Sequence, residues 1–303
     1  MSVAAIKLHP QGPTCSRVVF GAWRLSTWKI STKELIDLLH TSVELGITTV
    51  DHADIYGDYA CEGLFGAALR EQPALRSRLQ LVSKCGIRPV SAQRPENKLK
   101  HYDTSRAHIQ ASIENSLRLL NTDFLDLLLL HRPDPFMDTS ETADALASLV
   151  ESGKVLHVGV SNFTPSQFDL LASRLPIPLV TNQIEISVLK LNAFQDGSLD
   201  QCQRLGIAPM AWSPLGGGTL FSGNSPQAER VRAVLAEIGA QCGSASIDTV
   251  ALAWLLSHPA RIIPVLGTGK AVRLRAAAEA AELKLTREQW FRIWTASTGA
   301  NVP

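Results

Sequence analysis

Long apolar runs are missing from this 303-residue chain. No window approaches the roughly 20 consecutive apolar residues that a membrane-spanning helix needs, and the opening stretch, Met1 to Pro13, has no basic segment followed by an apolar one. Net charge is nearly absent as well. The 29 Lys and Arg against 28 Asp and Glu leave +1, with the two signs interspersed, so no global field gathers nucleic acid or an acidic lipid surface. Cysteine is sparse and scattered. Cys15, Cys61, Cys85, Cys202 and Cys242 form no CxxC pair and no Cys/His cluster, which argues for reduced, incidental thiols and against a disulfide framework or a metal site. These absences point to a soluble, cytoplasmic protein without a membrane or nucleic-acid partner, a monomer or weak homo-oligomer.

The chain does contain a repeated strand-helix unit. Residues 6 to 17, broken by Pro10, Gly12 and Pro13, read as a short hairpin ahead of the main fold. Short apolar strands are then expected at Val18 to Ala22, Ile47 to Val50, Leu79 to Ser83, Phe124 to Leu130, Val155 to Val160, Leu179 to Asn182, Ile207 to Trp212 and Ile262 to Val265, each followed by a segment with helical spacing. Runs such as Leu127 to Leu130, apolar without alternation, belong to strands buried on both faces. Eight such units without a linker between them predict one (β/α)8 TIM barrel domain over 1–303, with a final helix, Glu288 to Ala296, on the outside. The rival, an open dinucleotide-binding sheet, needs a glycine-rich turn after its first strand. Phe20 Gly21 Ala22 Trp23 is no G-x-G-x-x-G.

In such a barrel the strand C-termini line one mouth, so polar residues there read as functional. The second strand ends in Asp51 with Tyr56 just beyond, the third in Lys84, the fourth in His131. A tyrosine, with an ordinary pKa near ~10, is a poor proton donor at neutral pH until a nearby ammonium stabilises its phenolate. Lys84 can supply that charge, Asp51 can hold the lysine protonated, and His131 can bond the same oxygen as the phenol and so orient a substrate carbonyl. Asp54 reads as a loop carboxylate supporting the bend, and His52 is set aside. No base-activated Ser or Cys and no metal cluster is evident for hydrolysis.

A reduction at this centre needs a hydride from a cofactor, and the remaining strand ends offer seats for one. Ser161, Asn162 and Gln183 suit a carboxamide, and Trp212 offers a flat stacking surface. Ser213 Pro214 Leu215 Gly216 Gly217 Gly218 lets backbone N–H groups approach a pyrophosphate. Gly267 Thr268 Gly269 Lys270 precedes a helix carrying Arg273, where a phosphate would meet a helix N-terminus and basic side chains. Trp23 and the loop from Gly86 to Asp103 are placed to wall the substrate pocket, with Trp28 and Tyr59 as further candidates.

The ordered motifs DHADIYG, SKCG, LLLLHRPDP, GKVLHVGVSNF, TNQIEIS, AWSPLGGG and PVLGTGK resemble the aldo-keto reductases, in their bacterial YdhF-type oxidoreductase group, across essentially the whole chain. The resemblance implies a (β/α)8 barrel and NADPH-dependent reduction of aldehydes or ketones to alcohols. It assigns the proton donor to Tyr56, supported by Lys84, Asp51 and His131, the nicotinamide amide to Ser161, Asn162 and Gln183, and stacking to Trp212, where the family more often has tyrosine. The pyrophosphate falls to Ser213, Leu215 and Gly218, and the adenosine end to Gly267, Thr268, Lys270 and Arg273, with Arg273 on the 2′-phosphate. Many family members follow this arginine with a Glu-Asn pair, where this chain has Ala276 Ala277, a departure that leaves room for NADH beside NADPH. Two other readings stay open. One is a nicotinamide-binding regulatory or redox-sensing subunit with slow turnover, the other a barrel isomerase or aldolase using Lys84 as a Schiff base.

Overall fold

The computed structural model describes residues 2–303. Among them run twelve strands: β1 (Ala5–Lys7), β2 (Thr14–Ser16), β3 (Val19–Gly21), β4 (Thr49–Asp51), β5 (Gln80–Cys85), β6 (Ile87–Arg88), β7 (His101–Tyr102), β8 (Leu127–Leu130), β9 (Val158–Ser161), β10 (Leu179–Glu185), β11 (Met210–Trp212) and β12 (Ile263–Leu266). Strands β3, β4, β5, β8, β9, β10, β11 and β12 pair in parallel and in that order, and β12 pairs back to β3 to close the barrel. The expected (β/α)8 architecture is the fold, with each of the eight predicted strands in place.

The period of two along a strand explains why the leucine run has no alternation. Leu127 and Leu129 pack inside the barrel with Val19, Val82, Met210 and Val265. Leu128 and Leu130 pack outside it, under the helices, with Phe20, Val50 and Leu81. Helix starts are written locally: Ser31 with Glu34, Thr164 with Gln167 and Thr286 with Gln289 each form a capping box, satisfying backbone N–H groups that a helix leaves unpaired.

β1 and β2 form the expected N-terminal hairpin, and its Leu8 and Cys15 join the barrel's interior cluster, so the hairpin plugs the N-terminal end of the barrel. The last helix, Arg287–Thr298, lies outside as predicted, with Trp290 stacked on Trp254 at 4.7 Å between ring centroids. A second hairpin was not predicted. Inside the Gly86 to Asp103 loop, β6 and β7 form a second hairpin, Ile87 opposite Tyr102 and Arg88 opposite His101.

The barrel interior turns polar at its C-terminal end. Val82 points inward, and Lys84, two residues on, follows it by strand parity. Asp51 lies in register with Val82, and Gln183 with Met210. The inward column that is Val, Leu and Met below therefore ends in Asp51, Lys84 and Gln183 above.

Candidate active site

Tyr56 reaches this layer because the chain reverses behind it. Gly57, Asp58 and Tyr59 all take left-handed φ angles, 61°, 55° and 67°. At Gly57 a β-carbon would lie 2.4 Å from Ser26 Oγ and 2.6 Å from Cys61 Sγ, so only glycine fits this turn. Between strand and turn, β5 keeps hold of the chain: His52 N–H donates to the Val82 carbonyl at 2.8 Å and Asp54 N–H to the Lys84 carbonyl at 3.0 Å.

Lys84 is buried, and each of its three ammonium hydrogens has a taker. Nζ donates to Asp51 Oδ2 at 2.7 Å, to the His52 carbonyl at 2.7 Å and to Tyr56 Oη at 2.9 Å. Burial alone would lower the lysine's pKa, but Asp51 and Tyr56 hold it above its ordinary value. The second oxygen of Asp51 accepts from Gln183 Nε2 at 2.8 Å. Tyr56 Oη, as acceptor from Lys84, has its own hydrogen free to point elsewhere. For the phenol, burial is the larger effect and raises the pKa, while Lys84 pulls it down. The lysine expected to activate the tyrosine thus works against a stronger opposing cause.

His131 follows β8 and meets Tyr56 edge to face, with ring centroids 5.8 Å apart. Burial first, then the nearby charges of Lys84, Arg132 and Lys100, push its pKa well below the ordinary histidine value, so the ring is neutral at physiological pH. Its buried Nδ1 has no partner.

The structure brings the three amide-type candidates into one network. Asn162, left-handed at φ 63°, donates from Nδ2 to Ser161 Oγ at 2.7 Å, and Ser161 Oγ donates to the Gln183 carbonyl at 2.8 Å. Trp212 Nε1 donates to Asn162 Oδ1 at 2.9 Å, fixing the indole plane, and Arg132 lies 5.6 Å over that ring. Asparagine is among the few non-glycine residues that take this conformation readily, and here it turns the Asn162 amide toward Ser161 and Trp212.

Asp51, Tyr56 and His131 share one cavity of about 770 Å³ with Ser161, Asn162, Gln183, Trp212, Ser213, Pro214, Leu215, Gly218, Gly267, Thr268 and Arg273. Trp23, 52% exposed, lines it too. Gly216, Gly269 and Lys270 are not among its lining residues. Gly269 lies against Trp28, whose ring a β-carbon there would meet at 2.6 Å. Lys270 is exposed, and its backbone N–H donates to Thr268 Oγ1 at 3.2 Å just before the helix Ala271–Glu282. Trp28 packs edge-on against Phe20 and Tyr59 sits under Arg94, so neither joins the cavity wall.

The Gly86 to Asp103 loop contributes Lys100 and Tyr102 to the cavity lining, residues the sequence did not single out within it, and sequence reasoning missed Arg24, Arg132, Asp248 and Leu252, which also line the cavity. Arg132 could have been found, because it follows the strand-end histidine directly. Lys100 and Tyr102 depend on the second hairpin, and Arg24 on a bond across the mouth, from its Nη2 to the Gly217 carbonyl at 2.8 Å.

Next to the paired centre lies a second group of buried polar side chains. His52 is fully buried against Phe65, with ring centroids 4.5 Å apart, and neither ring nitrogen has a partner. Burial, then the charge of Lys84, lowers its pKa to about 3. His52 was set aside as a side chain, and its carbonyl is one of the three anchors of Lys84. Asp54 lies in the loop of the bend, as expected, but it is buried: burial, then Glu62, raises its pKa to about 7, against the opposing bond from Ser112 Oγ at 2.8 Å. Glu62, also raised by burial, accepts from Ser83 Oγ at 2.6 Å.

A closed parallel barrel that gathers a Tyr-Lys-Asp-His set at the C-terminal ends of its strands defines a class of oxidoreductase, and sequence comparison agrees. The chain belongs to the aldo/keto reductase family, whose model matches residues 17–297. It is 52% identical to the oxidoreductase YdhF of Escherichia coli K12 over 99% of this chain and 100% of that one. It is 46% identical to a 6-dehydroglucose reductase of Agrobacterium fabrum over 95% of this chain and 96% of that one. Among solved structures, the thermostable aldo-keto reductase Tm1743 in complex with the inhibitor epalrestat superposes with a TM-score of 0.82 at 29% identity, covering 97% of this chain and 99% of that one.

Proposed function

We propose that this chain is a single-domain NADPH-dependent carbonyl reductase in which Tyr56 protonates the oxygen of an aldehyde or ketone. The observation that carries the reading is the exhaustion of Lys84. Its ammonium bonds Asp51, the His52 carbonyl and Tyr56 at once, so the phenol must accept from it, and the phenolic hydrogen is free for the cavity.

The residues present fit a nicotinamide dinucleotide. A β-carbon added at Gly218 or at Gly267 would meet nothing within 4 Å, and both residues line the cavity, so bare backbone faces space that a pyrophosphate can fill. Ser161, Asn162 and Gln183 would hold the carboxamide, Trp212 would stack on the nicotinamide, and Arg273 would meet the 2′-phosphate. When bound, the cofactor supplies a hydride to the carbonyl carbon.

Every other part falls to the chain. Neutral His131 hydrogen-bonds the substrate oxygen and turns the carbonyl toward Tyr56. The phenolic proton passes from Tyr56 Oη to that oxygen as negative charge develops on it, and the phenolate left behind sits 2.9 Å from the Lys84 ammonium. Asp51, bonded to both Lys84 and Gln183, ties the proton donor to the carboxamide seat. Trp23 walls the substrate half, where Lys100, Arg132 and Tyr102 offer hydrogen-bond donors. Two relatives bear the name 6-dehydroglucose reductase, which supports placing polyhydroxylated aldehydes among the substrates.

The test is consumption of NADPH by purified protein across a panel of simple and polyhydroxylated aldehydes and ketones, with the alcohol product quantified. Stoichiometric alcohol formation is expected. Tight NADPH binding without turnover on any panel member would move the regulatory reading ahead, and borohydride trapping of substrate on Lys84 would favour the Schiff-base reading. Arg273→Ala should raise the Kd for NADPH about tenfold and that for NADH far less, as read by quenching of tryptophan fluorescence. Equal losses would remove Arg273 from the 2′-phosphate.

A further inference from the structure

We infer that Asp248 reads the 6-amino group of the cofactor's adenine, an inference that rests on the cofactor reading above and adds a contact to it. Asp248 lies in the first turn of the helix Ile247–Leu256 and lines the same cavity as Arg273. The two helices are neighbours at this end. Thr249 Oγ1 donates to the Ala276 carbonyl at 3.5 Å, one turn beyond Arg273, so the first turn of Asp248's helix packs beside the helix that presents the arginine.

Asp248 and Arg273 line one cavity with opposite charges, yet they form no ion pair among the described residues. One oxygen of Asp248 accepts from the Ser246 hydroxyl. The other has no protein partner, so it is available to a ligand. It is also a scarce kind of group. Of the side chains lining the cavity only Asp51 and Asp248 are carboxylates, and both oxygens of Asp51 are taken, by Lys84 and Gln183.

A carboxylate is an acceptor only, so it selects a donor and is repelled by phosphate. The division of labour follows. Arg273 suits the 2′-phosphate, and Asp248 suits a neutral N–H donor nearby. Adenine carries one exocyclic donor, its 6-amino group. Leu252, buried one helical turn after Asp248, and Phe221, 46% exposed, also line the cavity and offer a flat ring apolar surface. The stretch after Arg273 is Leu274 Arg275 Ala276 Ala277, whose two alanines have no acceptor side chain to offer. On the neighbouring helix, Asp248 offers one.

The experiment measures equilibrium binding, by tryptophan quenching on the full chain, of NADPH and of its hypoxanthine analogue, in which a 6-oxo acceptor replaces the 6-amino donor. The unmodified protein should prefer NADPH about tenfold, the scale of one hydrogen bond to a charged group at a partly exposed site. Asp248→Ala should weaken NADPH about tenfold and leave the analogue unchanged, erasing the preference. Asp248→Asn keeps the shape and adds an N–H donor, so it should shift preference toward the analogue; its thermal midpoint reports the fold independently. Equal weakening of both dinucleotides by Asp248→Ala would overturn the assignment in favour of a ribose contact. Tighter NADPH binding by that variant would overturn it by showing that the carboxylate faces the phosphate. Failure of the unmodified protein to bind either dinucleotide would refute the cofactor reading itself, before any substitution is made.

Discussion

Asp51 and Asp54 stand three residues apart, are 2% and 5% exposed, and are treated in opposite ways. Asp51 accepts from an ammonium on one oxygen and an amide on the other. Asp54 has a single hydroxyl donor and an oxygen with no partner, and burial raises its pKa to about 7. The same contrast separates Lys84, three times bonded, from His52, whose ring is bonded by nothing. Burying a charge is costly unless every lone pair and proton finds a partner; where partners are missing, the group gives up its charge instead. Around this end of the barrel, full pairing therefore goes with the charges that the proposed chemistry needs, and the carboxyl and imidazole of Asp54 and His52, short of partners, are pushed toward their neutral forms.

Removing one partner from the paired set should have the largest effect on folding. Lys84→Met strips Asp51 of its counter-charge, so the variant should lose about 3–5 kcal/mol of unfolding free energy in urea. A loss below about 1 kcal/mol would show that Asp51 does not depend on the lysine, and the contrast with Asp54 would collapse.

On the unpaired side the sign reverses. Asp54 has a folded pKa near 7 against 3.8 for the free carboxylate, so the folded state binds the proton more tightly. Stability from this group is fully present below the unfolded value and is lost as the pH rises through about 7. Asp54→Asn, which cannot ionise, should therefore be more stable than the parent at pH 8 by roughly 2–4 kcal/mol relative to the difference between them at pH 4. His52, with its folded value lowered to about 3, acts the other way, its stability being lost as the pH falls from 6.5, but it is common to both proteins and cancels in the comparison. A difference between the two that does not vary with pH would place Asp54 among the ordinary, ionised carboxylates.

The paired half was legible in the sequence. A strand end declares itself by an abrupt change from apolar to polar, and Asp51 and Lys84 stand at two such changes, as does the unpaired His131; parity along β5 then sends Lys84 inward with Val82. The barrel was legible for a related reason, since eight strand-helix repeats leave few architectures open. The unpaired half was not. Nothing local tells that Asp54 is covered by the helix carrying Ser112, or that His52 lends its carbonyl while its ring turns to Phe65; both depend on what packs above the loop. The β6–β7 hairpin was hidden for want of length, since strands of two residues carry no period. Lys100 and Tyr102 came with the loop expected on the pocket wall but could not be singled out without that hairpin, and Asp248 lines the cavity from a helix that carries none of the recognised motifs.

The central claim is that Lys84, saturated by its three acceptors, leaves the Tyr56 proton free for the substrate. The most direct test pairs two readouts on Tyr56→Phe, NADPH affinity by fluorescence quenching and turnover with the best aldehyde of the panel. The account predicts an unchanged Kd, because the phenol supports no cofactor contact, and a fall in kcat of at least about a thousandfold, the upper part of the range for a positioned general acid. A variant that binds NADPH and still reduces the aldehyde within about tenfold of the parent rate would contradict it, and the proton would have to come from His131 or from water.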